Sequence, residues 1–217
     1  SLHEQGQSFW IDYIDRALVS GGGLKRLIDD DGLRGLTSNP SIFEQAITGS
    51  SDYDDTLRAH LAVHPNDDTK ALFESVAIED IRAAADALRP IYDGADGADG
   101  FVSFEVSPHL AHDTERTIAE GRRLWREIDR PNLMIKVPAT PEGMPAIETL
   151  IGEGINVNVT LIFSLGQYEV AAQAYTKGLE KLGDPSRIAS VASFFISRVD
   201  SKVDAALEKV GTPEALA

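Results

Sequence analysis

Short runs of apolar residues alternate with longer amphipathic segments along most of the chain. The short runs have the length of strands and are bounded by turn residues. They predict six strands. The second is a short run that ends at residues 36–40, and the other five lie at residues 8–14, 101–107, 133–140, 155–163 and 188–196. The longer segments repeat apolar residues at helical spacing and predict helices at 41–61, 69–92, 113–128, 142–153, 164–182 and 197–210. Strands that alternate with helices indicate a parallel α/β fold with right-handed crossovers.

Six βα units in sequence suit either a (β/α)8 barrel or a doubly wound sheet. A doubly wound sheet often has a glycine-rich phosphate loop after its first strand, but Gly21–Gly23 lacks the GxGxxG spacing and is interpreted as a flexible connection. In barrels the chemistry lies at the carboxyl ends of several strands. Polar residues recur at such positions here: Asp12, Thr37, Asn39, Glu105, Lys136, Asn158, Thr160 and Ser193. We therefore predict a TIM-type barrel with about six of its βα units, as a single incomplete domain over residues 1–217.

Lys136 lies within the fourth apolar run, Leu133–Thr140. Burial in a strand disfavours the charged ammonium, so the amine would become nucleophilic near neutral pH. Such an amine can form a Schiff base with a carbonyl substrate. The alternative is a lysine whose stem packs against the strand end while its ammonium reaches water. The strand alone does not decide between the two.

Composition and charge exclude several classes of protein. The chain has 217 residues, of which 35 are acidic and 20 are basic, and its formal charge is −15. This field argues against binding to nucleic acid or anionic membranes, although one local arginine can still bind a small anion. The absence of cysteine excludes disulfides and thiolate chemistry, and it is compatible with a cytoplasmic location. No apolar run approaches the ~20 residues of a membrane span.

A glycine- and aspartate-rich segment at residues 93–100 is a weak candidate for a metal site. Its aspartates are three residues apart, and no glutamate follows at the spacing of a calcium loop. A loop that ends the preceding helix is the better interpretation.

Five motifs, each at a predicted strand, span nearly the whole chain: Leu36–Ser41, Phe104–Ser107, Met134–Thr140, Gly154–Ser164 and Ser193–Asp200. Together, and in this order, they resemble the transaldolases, which are pentose-phosphate-pathway enzymes with a Schiff-base lysine. The resemblance implies that sugar phosphates are the substrates. It also implies that a dihydroxyacetone unit passes from a ketose phosphate to an aldose phosphate. In that mechanism the protonated imine is the electron sink, so the resemblance implies that neither a metal nor an organic cofactor is needed.

The resemblance assigns catalytic roles to four residues. Lys136 would be the nucleophile, and Asp12 the acid and base that handles the hydroxyl at the broken carbon–carbon bond. Glu105, together with a water molecule and Thr160, would relay protons as the imine forms and is hydrolysed. Isolated carboxylates inside apolar strands are costly unless they are paired. We therefore expect Asp12 and Glu105 to be buried beside Lys136.

The same motifs imply substrate-binding roles for Thr37, Asn39, Asn158, Ser193, Phe195 and Arg198. Arg198 would bind the sugar phosphate through a charge-assisted contact. The residues alone leave structural alternatives open. Thr37, Asn158 and Ser193 could satisfy backbone groups inside a barrel, and Arg198 could form a helix-surface ion pair with Asp200 or Asp204.

Three functional hypotheses follow from the sequence. The first is transaldolase, and the second is a Schiff-base aldolase that cleaves fructose 6-phosphate without transfer. The residue at position 105 bears on the choice between the first two: a glutamate there, and not a glutamine, resembles the transferases. The third is a non-catalytic fragment that only binds a partner, because the resemblance stops after the sixth strand and a full barrel needs two more βα units. We expect the remainder as a further segment, a swapped partner or a C-terminal fragment of the same protein.

Overall fold

The structure is a computed structural model that describes residues 2–215. Within this range six parallel strands form one sheet: β1 (Phe9–Asp12), β2 (Leu33–Thr37), β3 (Phe101–Glu105), β4 (Leu133–Pro138), β5 (Val157–Ile162) and β6 (Ser190–Phe194). The same range contains the helices α1 (Arg16–Ser20), α2 (Gly23–Asp30), α3 (Pro40–Gly49), α4 (Asp54–Val63), α5 (Thr69–Gly94), α6 (Thr114–Ile128), α7 (Gly143–Gly152), α8 (Leu165–Leu179) and α9 (Ile196–Val210).

The strands lie in the order in which they occur along the chain, from β1 to β6. Sequential parallel order is the order of a (β/α)8 barrel, whereas a doubly wound sheet reverses direction at a switch point. Side chains from β1, β3, β4 and β6 meet in one apolar cluster, which shows that the sheet is curled and that the cluster lies on its concave face. That cluster contains Trp10, Tyr92, Phe101, Met134, Ala189 and Val191. The predicted TIM-type architecture, with six of its strands, is therefore confirmed.

The main core lies between the convex face of the sheet and the surrounding helices. Strand residues that point outward, such as Val102, Ile135 and Val157, are fully buried there. Ile81 and Leu150 reach them from α5 and α7. The continuous apolar runs of the sequence follow from this arrangement, because a parallel strand is buried on both faces.

Side-chain caps fix where several helices begin. A side-chain oxygen accepts a hydrogen bond from the backbone N–H three residues later at Asn39, Asp68, Asp113 and Ser164. These contacts satisfy N–H groups that have no partner within the helix. They place the starts of α3, α5, α6 and α8 within about one residue of the predicted positions.

Two parts of the sequence interpretation were wrong in detail. Residues 41–61 are not one helix. Gly49 ends α3, Ser50 is extended and its hydroxyl accepts from the Asp52 N–H, and α4 starts at Asp54. Nor is Gly21–Gly23 a flexible connection. Gly22 adopts a left-handed conformation with φ 79° between two short helices, α1 and α2, that the pattern did not predict.

The long helix α5 and the loop after it agree with the sequence interpretation. The helix ends at Gly94, inside the glycine- and aspartate-rich segment. No group of three or more side chains that could hold a metal ion is found within residues 2–215. None of the helices in that range has the length and apolar character needed to cross a bilayer.

Candidate active site

The register of the sheet brings polar side chains together on the concave face. Glu105 on β3 lies opposite Lys136 on β4, and Lys136 lies opposite Asn158 on β5. Asp12 on β1 lies opposite Thr37 on β2, and Thr37 pairs with Ser103, two residues before Glu105 on β3. Because paired residues of neighbouring strands point to the same face, these polar positions share the interior of the curl. The strand ends that carry them are the carboxyl ends, where barrel chemistry lies.

Lys136 is buried, with 5 % of its surface exposed. Its Nζ donates a hydrogen bond to the carbonyl oxygen of Ser38 at 3.1 Å and lies 3.4 Å from Glu105 Oε2. The alternative of a lysine that reaches solvent is therefore wrong. Ser38 lies just after β2, two strands away from β4, so the curl of the sheet is what brings this carbonyl to the amine.

Glu105 is the carboxylate that lies closest to the amine. Burial raises the pKa of Glu105 above its ordinary value, the charge and hydrogen bond of Lys136 oppose that rise, and the charge of Asp12 adds to it. A carboxyl group with a raised pKa can hold a proton at a pH where an exposed glutamate could not. The pair thus places a proton carrier beside a potential nucleophile.

Asp12 differs from the expectation drawn from the sequence. It is exposed at the carboxyl end of β1, and no ion pair joins it to Lys136 in the part of the chain that the structure describes. Its charge nevertheless adds to the rise in the pKa of Glu105, so the two carboxylates are near enough to interact. The error arose because Asp12 is the last residue of a short edge strand, where the apolar pattern does not imply burial.

Asn158, opposite Lys136 in the sheet, links three strands through hydrogen bonds. Its Nδ2 donates to Ser103 Oγ on β3 at 3.0 Å, and its Oδ1 accepts from Ser193 Oγ on β6 at 2.8 Å. The amide nitrogen and oxygen of Asn158 and the hydroxyl of Ser193 thus all have hydrogen-bond partners inside the protein. These hydrogen bonds join side chains and not backbone groups, so Asn158 and Ser193 do not satisfy the backbone as the structural alternative expected, although they do connect β3, β5 and β6.

Two threonine hydroxyls at the site are buried and have no hydrogen-bond partner within residues 2–215. They belong to Thr37 on β2 and Thr160 on β5. Buried polar atoms nearly always have partners in native proteins, so orphaned ones call for an explanation. Asn39, by contrast, uses its side-chain oxygen to cap α3 through the N–H of Ile42.

Phe195 and Arg198 lie together after β6. The guanidinium carbon of Arg198 is 4.6 Å from the centre of the Phe195 ring, and Arg198 is exposed on the first turn of α9. Among the described residues Arg198 forms no ion pair with Asp200 or Asp204, so that structural alternative is wrong. The structure brings Arg198 to the end of β6 but does not bring it into contact with Lys136.

Sequence reasoning missed two serines that build the site. Ser38 supplies the carbonyl that binds Lys136, and its Oγ donates to the Ser103 carbonyl at 2.9 Å. Ser103, on an otherwise apolar strand, accepts from Asn158. The signal that could have found Ser103 is its small polar side chain two residues before Glu105. A backbone carbonyl such as that of Ser38 leaves no signal in the sequence.

A cavity of about 490 Å³ adjoins the site on the side of α3 and α5. Ser38, Asn39 and Glu105 line it, together with the apolar side chains of Phe73 and Phe104. Glu105 therefore borders this cavity as well as the Lys136 amine.

The family comparison matches residues 9–216 to the model described as transaldolase/fructose-6-phosphate aldolase. The chain is 53 % identical over 214 residues to a transaldolase of Acidothermus cellulolyticus, with 97 % of this chain and 57 % of the relative covered. It is 50 % identical to transaldolases of Parafrankia sp. (99 % and 58 % covered) and of Thermobifida fusca (100 % and 59 % covered). The chain thus spans a little over half the length of these relatives. With its sequential parallel strands and its buried lysine, it belongs to the transaldolase/fructose-6-phosphate aldolase family.

Proposed function

We propose that this protein acts as a transaldolase, which moves a dihydroxyacetone unit between sugar phosphates through a Schiff base on Lys136. The observation that carries the proposal is the buried amine with a carboxylate at 3.4 Å, on the concave face of a barrel-type sheet. The family match and the transaldolases at about 50 % identity support the same reaction. The pathway would be the pentose phosphate pathway, and the location cytoplasmic.

The reaction begins when the neutral Lys136 amine attacks the C2 carbonyl of fructose 6-phosphate or sedoheptulose 7-phosphate. The resulting carbinolamine loses water and becomes an iminium ion. Asp12 takes the proton of the C4 hydroxyl, the C3–C4 bond breaks, and an aldose phosphate leaves. The electron pair of the broken bond stays on the bound three-carbon unit as an enamine. An acceptor, erythrose 4-phosphate or glyceraldehyde 3-phosphate, then takes up that unit, and water releases the product.

Glu105 would carry protons while the carbinolamine forms and collapses. Its raised pKa supports this role, because the loss of water requires a donor for the departing hydroxyl group. The orphaned hydroxyls of Thr160 and Thr37 would hold the catalytic water and a substrate hydroxyl. Asn158, Ser193 and Asn39 would contribute remaining polar contacts to the sugar.

Phosphate recognition is assigned to Arg198, with Phe195 forming the wall beside it. The exposed guanidinium at the end of β6 supports this assignment, because it can make a charge-assisted contact with a phosphate without breaking an existing ion pair. A local positive charge is needed for phosphate binding, since the chain as a whole is strongly acidic and would repel an anionic sugar.

We also propose that the described sheet is one part of a single barrel domain. β1 and β6 each pair on one side only within residues 2–215, and closure of the barrel needs further strands between them. The partner would be two more βα units of the same protein, in the same chain or as a C-terminal fragment.

A product assay with and without acceptor tests the proposed reaction. Fructose 6-phosphate with erythrose 4-phosphate should give sedoheptulose 7-phosphate and glyceraldehyde 3-phosphate, and Lys136→Arg should abolish both products. Rapid release of free dihydroxyacetone without acceptor, at a rate equal to that of transfer, would assign the protein to the cleaving aldolases. Neither product from a folded protein that contains all eight barrel strands would leave only the non-catalytic hypothesis.

A further inference from the structure

We propose that Phe163 is a positioning residue for phosphate recognition. It holds the Phe195 ring, and through that ring the Arg198 guanidinium, at the carboxyl end of β6. The inference rests on the proposed function, in which Arg198 binds the phosphate of the sugar. It adds a residue that none of the catalytic or binding assignments above includes.

The contacts that carry the proposal involve three side chains. The rings of Phe163 and Phe195 are stacked, with centroids 5.3 Å apart and an angle of 27° between their planes. The Arg198 guanidinium lies over the Phe195 ring at 4.6 Å. Phe195 is thus in contact with both partners, and its orientation sets where the guanidinium rests.

The backbone of β5 departs from regular strand geometry to place Phe163 there. The register between β5 and β6 shifts between Val159 and Ile162, and Leu161 has φ 60°, in the left-handed region that leucine rarely adopts. Bulges of this kind redirect the side chains that follow them. The Phe195 N–H then donates to the Ile162 carbonyl at 2.9 Å, which joins the ends of the two strands.

Gln167 on α8 fixes the segment from the other side. Its Oε1 accepts from the Phe163 N–H at 3.0 Å, and its Nε2 donates to the Ala139 carbonyl at 3.2 Å. Ala139 follows directly after β4, the strand of Lys136. The backbone of Phe163 is therefore bonded to α8, and through Gln167 to the end of β4, although 43 % of the surface of Phe163 is exposed.

An exposed phenylalanine with an anchored backbone contributes little to the core. What it does contribute is a face on which the Phe195 ring stacks, and the position of that ring in turn limits the positions available to Arg198. A guanidinium stacked on a ring keeps the N–H groups at its edge available for a phosphate. Loss of Phe163 should therefore affect phosphorylated substrates more than unphosphorylated ones.

The test compares fructose 6-phosphate with fructose as donors in the active protein. Phe163→Ala should lower kcat/KM for fructose 6-phosphate by roughly two- to fivefold more than for fructose, the range expected for a partly exposed cation–π contact. The inhibition constant of inorganic phosphate should rise by a similar factor. Phe163→Tyr, which keeps the stacked ring, should restore both values. Leu165→Ala, at a neighbouring residue with 74 % exposure, is the matched control and should change neither.

Arg198→Ala separates this inference from the proposal beneath it. If Arg198→Ala raises the phosphate inhibition constant and Phe163→Ala does not, the positioning role of Phe163 is overturned while Arg198 keeps its assignment. If Arg198→Ala leaves the preference for the phosphorylated donor unchanged, the assignment of Arg198 is wrong and the inference about Phe163 falls with it. Equal losses for both donors in Phe163→Ala would indicate a merely structural role.

Discussion

At the scale of single residues, the site depends on the contact between the Lys136 amine and the Glu105 carboxyl group. The amine has a fixed acceptor in the Ser38 carbonyl, and the carboxylate lies at a slightly longer distance on the neighbouring strand. The amine must lose a proton to attack a carbonyl, and the carboxyl group must gain one to protonate a leaving hydroxyl. An adjacent pair of opposite charge allows that exchange without bulk water.

The raised pKa of Glu105 predicts how stability changes with pH. Folding favours the protonated carboxyl, so its contribution is fully present below about pH 4.3, the ordinary glutamate value, and is lost as pH rises through the folded pKa. The free energy of unfolding of the wild type, relative to that of Glu105→Gln, should therefore fall as pH rises from about 4.3 towards neutrality. Urea unfolding at a series of pH values measures it.

Glu153 provides a control of opposite sign. Its hydrogen bond from Arg122 lowers the pKa of the Glu153 carboxyl, so its contribution is present above the ordinary glutamate value and is lost as pH falls through the folded pKa. Relative to Glu153→Gln, the wild type should gain stability with rising pH. A slope of the same sign for both variants would contradict the account of Glu105.

Asp12 and Glu105 should affect different steps of the reaction. Glu105→Gln should slow the formation of a trapped imine, because it removes the proposed proton carrier for the carbinolamine. Loss of Asp12 as Asp12→Asn should leave trapping largely intact while turnover drops by ~10²–10⁴. Borohydride trapping rates and steady-state turnover, measured on the same preparations, give the comparison. Equal trapping defects would reject this division of roles.

The sequence could single out Lys136 as a candidate, since a charged side chain within an apolar strand is a local signal, but the strand alone did not decide whether the amine is buried. The sequence could not give the geometry around the lysine, because the Ser38 carbonyl reaches it only through the curl of the sheet. Asp12 shows the opposite error. Its strand is apolar, but burial depends on what covers an edge strand, and the pattern of one strand carries no such information.

At the scale of the elements, the packing of β1 against β2 depends on Gly35. The indole of Trp10 lies against this glycine, and an added Cβ would come within 2.2 Å of Trp10 Cε2. The indole N–H also donates to Ser8 Oγ at 3.0 Å, and Ser8 donates to Asp99. Trp10 is therefore fixed on both sides and has little room to move.

Gly35→Ala should lower the free energy of unfolding by about 1–3 kcal/mol, the usual cost of overpacking, because the ring cannot yield without breaking these contacts. Gly166→Ala, in α8, is the matched control. An added Cβ at Gly166 has no atom within 4 Å, so this change should raise stability by about 0.4–1 kcal/mol. Chemical unfolding of the two variants checks both values, and a neutral Gly35→Ala would contradict the packing described.

The elements also show which patterns carry structural information. The strands were predictable because their apolar runs are short and end at turn residues, as at Leu133–Pro138. The helices α1 and α2 were missed because Gly21–Gly23 has the composition of a loop, although Gly22 serves as the sharp junction between them. The break after Gly49 was missed because the apolar spacing continues across it, although the extended backbone of Ser50 ends the helix.

At the scale of the whole molecule, α9 has no covering layer within residues 2–215, and β6 is only partly buried. Four apolar residues on one side of α9 are exposed: Ile196, Val203, Leu207 and Val210. Their spacing places them on a common face, which a helix of a globular protein normally buries. Together with the open edges of β1 and β6, this face marks where the proposed additional βα units would pack.

We expect a preparation limited to these 217 residues to self-associate, because the apolar face of α9 and the open strand edges are accessible. Addition of a segment corresponding to the rest of the related transaldolases should suppress association and raise activity. Sedimentation velocity and the transfer assay measure the two effects. Val203→Asp should reduce self-association of the 217-residue chain, whereas Val63→Asp, at an exposed position on α4, should not. A monomeric and fully active 217-residue protein would contradict this expectation.

The most direct test of the account is to trap the intermediate on Lys136. The protein is incubated with fructose 6-phosphate, reduced with borohydride, digested and mapped by mass spectrometry. The account predicts one reduced three-carbon adduct, located at Lys136, and none in Lys136→Arg. An adduct at another lysine, such as Lys70, or no adduct from a preparation that catalyses transfer, would contradict the central claim that Lys136 is the nucleophile.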